Sequence, residues 1–192
     1  MAVSNWIIVI SWLIFLIYWG VSAIGVKKDI RRLSGHYVIR LAAAAIIILI
    51  IILKPASVER FLNRFLNYSW TSPDSVLKSI GAIICALGIA LAIWARWHLG
   101  KNWSPRPSVK ENHELITSGP YRFVRHPIYT GMLAALFGSA LAGSFFWLIV
   151  FVAAAAVFIN RVHIEERLME QQFPAKYAEY KKRTKALIPF VW

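Results

Sequence analysis

Residues 5–26, 37–53, 76–99 and 127–160 of this 192-residue chain are almost uninterruptedly apolar, and such runs fix the solvent before they fix the fold. A run of roughly 20 apolar residues, wound as a helix, matches the hydrocarbon core of a bilayer. No water is available there for backbone N–H and C=O groups, so each run has to satisfy them internally as a helix. A hydrophobic content of 58% removes the soluble alternative. The expected fold is therefore all-α: one integral membrane bundle of about five spans, at roughly 5–26, 37–53, 76–99, 127–143 and 145–162. A polar loop at 100–126 and a tail at 163–192 complete the single expected domain, 1–192. The last apolar stretch accommodates two helices only as a tight hairpin broken near Gly143 and Ser144. The first run has neither a basic lead-in nor a small-residue cleavage site, so it is expected to stay as a span rather than leave as a signal peptide.

The net charge of +13 is large enough to raise nucleic acid as a partner. The basic residues, however, sit in the gaps between apolar runs and not on a recognition element, so membrane topology accounts for them better. Lys27, Lys28, Arg31, Arg32 and Arg40 stand against Asp29 after the first run. Arg96, Lys101, Arg106, Lys110, Arg122 and Arg125 stand against Glu111 and Glu114 over the stretch from Arg96 to Arg125, and the tail is basic too. The positive-inside rule places these segments in the cytoplasm, with the N-terminus outside. Trp6, Trp19, Trp70, Trp97, Trp103 and Trp147 fall near span ends, as an interfacial belt requires, and need no chemical role. Cys85 lies within an apolar run, and the histidines have no metal-ligand spacing, so no metal is expected.

Three polar clusters remain, all on the expected cytoplasmic side. In the first, Ser118, Gly119 and Pro120 form a turn that carries Tyr121 back against residues 113–116. An aromatic ring beside exposed backbone suits a flat heterocycle, and an ordinary interfacial loop has the same spacing. The second is Arg125, His126, Pro127, Ile128 and Tyr129. Pro127 suits the first position of a helix, where its missing N–H costs nothing. The free amides of that turn, with Arg125 and His126, would make an anion site, while arginines at a span end also anchor to lipid headgroups. The third is Arg161 and Glu165, one helical turn apart on one face, a spacing that an exposed ion pair shares. Glu166 is turned by about 100° from Glu165, so both acids are not expected in one pocket. Beyond them, Met169, Phe173, Tyr177 and Tyr180 give the tail one apolar face, with Pro174 interrupting or restarting its helix. That tail is expected along the cytoplasmic interface, over the site.

Taken in order, these clusters resemble the isoprenylcysteine carboxyl methyltransferase family of membrane enzymes. The matching residues are Leu99, Gly100, Lys101, Asn102, Trp103 and Ser104; His113, Glu114, Leu115 and Ile116; Ser118, Gly119, Pro120 and Tyr121; and Arg125 to Tyr129. Arg161 four residues before Glu165, and the run from Phe173 to Tyr180, complete the set, which covers the chain from about Leu99 onward. The resemblance implies S-adenosyl-L-methionine as cofactor, held by His113, Glu114, Leu115, Ile116, Tyr121, Arg125, His126, Pro127, Ile128, Tyr129 and Glu165. It implies that Arg161 faces the acceptor carboxylate. Arg106 stands where the family can place a glutamine against the cofactor, and Pro174 where its tail usually has glycine.

The chemistry agrees with that expectation. Methyl transfer to a carboxylate needs no general base, because the nucleophile is ionised near neutrality, and no catalytic dyad is found in the sequence. A site for it has to align methyl and acceptor and strip water from the carboxylate. Arg161 can hold a carboxylate through a forked hydrogen-bond pair. The expected partners are membrane lipids and a prenylated cysteine or similar lipidic acceptor. A phospholipid amine N-methyltransferase and an NADPH-dependent reductase of the sterol-reductase type are the rival expectations, and an amine acceptor would favour an acid over Arg161.

Overall fold

The computed structural model describes residues 3–22, 29–32, 76–103, 108–110, 114–143 and 145–189. The expected span 37–53, Trp70, Ser104, Arg106 and His113 lie outside the described residues. Among the described residues, five α-helices follow the apolar runs and the tail: α1 at Val3–Ser22, α2 at Val76–Leu99, α3 at Pro127–Leu141, α4 at Phe145–Gln172 and α5 at Pro174–Arg183. By length and composition α1, α2 and α4 are able to cross a membrane, and α3 is a shorter apolar helix. The protein is an integral membrane protein built as a helical bundle.

Close approach of backbones joins α2 to α3. A side-chain carbon on Gly88 would lie 2.6 Å from the carbonyl oxygen of Gly131, and one on Gly131 would lie 2.6 Å from the amide nitrogen of Ala92. Only hydrogen fits in that seam, and small residues let dispersion contacts and weak polar contacts form where lipid supplies no hydrophobic drive. Ala82, Cys85, Ala92 and Ala135 are wholly buried around it, and Ile8 and Phe15 of α1 close the cluster. Cys85 is thus a packing residue, accepting a 3.5 Å hydrogen bond from Ser139. Ser139 also accepts a 3.1 Å bond from the Trp12 indole, tying α1 to α3.

Each helix start follows its local chemistry. Pro127 and Pro174 stand at the first positions of α3 and α5, where a missing donor is harmless. The turn between α3 and α4 passes through Gly143 at φ +106°, a conformation closed to most side chains. Helix α4 continues ten residues beyond the expected end of its span, because residues 163–172 are mostly good helix formers and no glycine or proline stops them before Pro174. One feature departs from a purely helical reading. The basic segment after α1 and the long loop pair as two short antiparallel strands, β1 at Asp29–Arg32 and β2 at Ser108–Lys110, with Arg31 opposite Val109. The pairing brings these two segments to one end of the bundle, and two chain segments leaving neighbouring helices gain backbone partners there.

Candidate functional site

At that same end, where α2 finishes and α3 begins, a cavity of about 390 Å³ opens between the helices. Trp19 of α1, Leu99 of α2 and Asn102 and Trp103 of the turn after it form one side. Glu114, Leu115, Ile116 and Tyr121 of the loop form the next, and Arg125, His126, Ile128, Tyr129 and Met132 the third. Helix α4 contributes Phe158, Arg161, Glu165, Leu168 and Met169, and α5 contributes Tyr177 and Tyr180.

The loop is held by the turn at Gly119. Its φ of +58° favours glycine, and a side-chain carbon there would meet the His98 ring at 2.8 Å. His98 Nε2 lies 2.9 Å from the Ser118 hydroxyl, so the ring braces the turn it touches. The turn continues as a short 3-10 segment at Gly119–Arg122 that buries Tyr121 against Ala95, Ile116 and Ile128. The Tyr121 hydroxyl reaches the Ala95 carbonyl at 3.4 Å, and the Tyr180 hydroxyl of α5 donates to the Tyr121 carbonyl at 2.6 Å.

The charged part of the cavity is a network around His126. Its Nδ1 lies 3.5 Å from Glu165 Oε2 and its Nε2 3.6 Å from Glu166 Oε1, so the ring sits between two carboxylates. Burial opposes a charge on that ring, but the hydrogen-bonding and electrostatic pull of Glu165 and Glu166 outweighs it, and the His126 pKa is raised above its ordinary 6.5. Glu165 also accepts a 2.5 Å bond from the Tyr129 hydroxyl and stands 3.4 Å from Arg161 Nη2. The rings of His126, Tyr129 and Phe158 stack in succession, and the Arg161 guanidinium lies 5.7 Å from the Tyr129 centroid. Glu165 lines the cavity and Glu166 does not, as their angular separation requires, although both reach His126 from opposite sides.

The entrance to α3 is less open than its sequence suggests. Arg125 donates from Nε to Glu166 at 2.6 Å and from Nη1 to the Thr184 carbonyl. The amides of Arg125 and His126 bond the carbonyls of Lys185 and Ala186, and Thr130 bonds the Leu187 carbonyl at 2.7 Å. Residues after α5 therefore strap the start of α3 and take up the amides of Arg125 and His126.

Of the residues expected at a cofactor, Glu114, Leu115, Ile116, Tyr121, Arg125, His126, Ile128, Tyr129 and Glu165 line this one cavity with Arg161. Pro127 is fully buried behind the wall, outside the lining. Two tryptophans correct the sequence reading. Trp19 and Trp103 are cavity walls, packed edge to face at 5.6 Å, whereas Trp6 and Trp97 are exposed as a belt requires. Trp103 is set by Arg96, buried beneath it with its guanidinium 4.4 Å from the ring centroid and donating to the carbonyls of Gly100 and Ser22. Met132, Phe158, Leu168, Met169, Tyr177 and Tyr180 were missing from the expected site. The apolar face of the tail pointed to Met169, Tyr177 and Tyr180, and nothing local marked the others.

Comparison with known proteins gives the family. Residues 77–176 match the family model described as phospholipid methyltransferase. Protein-S-isoprenylcysteine O-methyltransferase B of Arabidopsis thaliana is 27% identical over 163 residues, 83% of each chain. The cobalt-zinc-cadmium resistance protein CzcN of Cupriavidus metallidurans is 31% identical over 123 residues, 63% of this chain and 52% of that one. The solved structure of the eukaryotic intramembrane Ras methyltransferase ICMT (isoprenylcysteine carboxyl methyltransferase) superposes with a TM-score of 0.54 at 25% identity, covering 83% of this chain and 55% of the other. The chain thus spans little more than half the length of the last two.

Proposed function

Because this chain belongs to the phospholipid methyltransferase family, and its likeness to the isoprenylcysteine carboxyl methyltransferases holds in sequence and in fold, we propose that it is an S-adenosylmethionine-dependent methyltransferase acting on the carboxylate of a prenylated cysteine or similar lipidic acceptor. The observation that carries this reading is the meeting of Arg161 and Glu165 in one mainly aromatic and aliphatic cavity at the end of a membrane bundle.

The residues present suit the cofactor. Tyr121, Trp103 and the loop 114–116 offer a slot for a flat ring. Glu165 offers an acceptor for an ammonium or for ribose hydroxyls, and the first-turn amides of α3 suit a carboxylate. The aromatic rings that line the cavity, Trp19, Trp103 and Phe158 among them, suit a cation. When bound, S-adenosylmethionine supplies an electrophilic methyl group on a sulfonium sulfur.

The chain's own task is then placement and dehydration. Arg161 stands 3.4 Å from Glu165 with its side chain 27% exposed, and it lines the cavity where an arriving carboxylate would meet it. Arg161 then fixes the acceptor oxygen, while Trp19, Met132 and Phe158 exclude the water that would blunt its nucleophilicity. No residue has to remove a proton from an acceptor already ionised near pH 7. We place the cavity on the cytoplasmic side, with the N-terminus outside, from the basic residues gathered at that end.

Incubation of purified protein with methyl-labelled S-adenosylmethionine and a panel of prenylated cysteines, fatty acids and phospholipid amines tests the acceptor. Base-labile label on a carboxylate is the expected product. Label on a phospholipid nitrogen would replace the carboxylate reading with the amine one.

A further inference from the structure

Glu166 does not line the cavity, yet basic side chains from two other elements converge on it. Arg125 Nε lies 2.6 Å away, Lys181 Nζ 2.9 Å and His126 Nε2 3.6 Å, and the carboxylate's side chain is only 13% exposed. Lys181 belongs to α5, the helix that brings Tyr177 and Tyr180 to the cavity. Arg125 and His126 belong to the turn that starts α3, and both line the cavity. Arg125 also holds the Thr184 carbonyl just beyond α5.

We propose that Glu166 is a positioning residue that couples the seating of α5 over the cavity to the orientation of His126 inside it. Resting on the cofactor reading of this cavity, the proposal concerns how the site is assembled and held closed. With Glu166 ionised, one carboxylate serves both sides. Arg125 and Lys181 share it, and His126 is kept centred between it and Glu165. Without that charge, Arg125, with a side chain only 9% exposed, loses a charged acceptor, which is costly, Lys181 is left to the more exposed Glu170, and His126 is left to Glu165 alone. Glu165 would then be drawn from Tyr129 and Arg161, the groups it serves in the cavity.

The ionisable groups around this centre come from every neighbouring element. Helix α4 supplies Arg161, Glu165 and Glu170, the α3 entrance Arg125, His126 and Tyr129, and α5 Tyr177, Tyr180 and Lys181. Among these, His126 is the group whose charge depends most directly on having two carboxylates rather than one, which gives the coupling a signature that packing alone lacks.

The test uses the full-length protein in detergent, with S-adenosylhomocysteine as the probe. Glu166→Gln is expected to weaken binding roughly tenfold and to move the alkaline limb of its pH dependence to lower pH. Lys181→Met is expected to speed dissociation with the limb unmoved, and the double variant to bind no worse than Glu166→Gln. Glu166→Asp keeps the charge and should retain the wild-type limb, which covers the case in which Glu166→Gln does not fold. Limited trypsin digestion supplies a readout without ligand: Glu166→Gln should be cut several-fold faster after Lys181, Lys182 and Arg183. Unchanged digestion, an unmoved limb, or fully additive losses in the double variant would overturn the coupling. Failure of the wild type to bind the probe would instead remove the cofactor reading, and digestion would still decide whether Glu166 seats α5.

Discussion

The Tyr129 hydroxyl donates to Glu165 Oε1 at 2.5 Å, across the gap between the first turn of α3 and the C-terminal third of α4. The bond links residues 36 positions apart in sequence and sets the face that Glu165 presents to the cavity, beside Arg161 and His126.

Tyr129→Phe keeps the ring stacked between His126 and Phe158 and removes only that bond. Hydrogen bonds to a charged acceptor contribute about 1.5–3 kcal/mol, so S-adenosylhomocysteine affinity should fall by about tenfold or more in calorimetric titration. The thermal midpoint should move far less than in a variant that empties the stack, such as Tyr129→Ala.

Arg161 should divide the two substrates. Arg161→Gln removes the fork proposed to hold the acceptor carboxylate, and kcat/KM for the acceptor should drop about a hundredfold while cofactor affinity changes only a few-fold. Arg161→Lys should rescue little, because a point charge does not reproduce bidentate geometry. Steady-state kinetics with each substrate varied in turn separates the effects.

The α2–α3 seam tolerates no added carbon at Gly88, where the Gly131 carbonyl lies 2.6 Å from the place a side-chain carbon would take. Gly88→Val should destabilise the bundle by about 3 kcal/mol or more, since backbone, not a flexible side chain, would have to move. Loss of the monodisperse peak on detergent gel filtration, or a thermal midpoint lower by many degrees, is the expected reading.

His126 makes stability depend on pH in a particular direction. Its pKa is raised in the folded protein, with burial opposed and outweighed by Glu165 and Glu166. Its contribution is therefore fully present below the ordinary histidine value and is lost as pH rises through the raised one. The thermal midpoint should decline across that alkaline interval, and His126→Asn should flatten the decline while lowering the midpoint below it.

Much of this architecture is legible in the chain because bilayer helices follow directly from apolar runs, and proline and glycine mark their ends. Pro127 and Pro174 start helices, and Gly143 turns one back, for reasons that are local. The clustering of Tyr121, His126, Tyr129, Arg161 and Glu165 was suggested by their order and by family resemblance. What stayed hidden depends on distant segments meeting. Trp19 and Trp103 look like interfacial anchors until α1 and the α2 terminus converge. The strap from Thr184 to Leu187 has no periodicity to announce it, and it consumes donors that the isolated start of α3 offers to an anion. Glu166 likewise reads only as an acid turned away from the pocket of Glu165, and nothing in the chain announces that Arg125 and Lys181 meet on it.

The central claim, that this cavity binds the methyl donor, is tested most directly by calorimetric titration of the purified protein with S-adenosylhomocysteine and, separately, with NADPH. The account predicts saturable binding of S-adenosylhomocysteine that Glu165→Gln abolishes in a protein still folded, and no binding of NADPH. Tight binding of NADPH alone, or S-adenosylhomocysteine binding indifferent to Glu165→Gln, would contradict it.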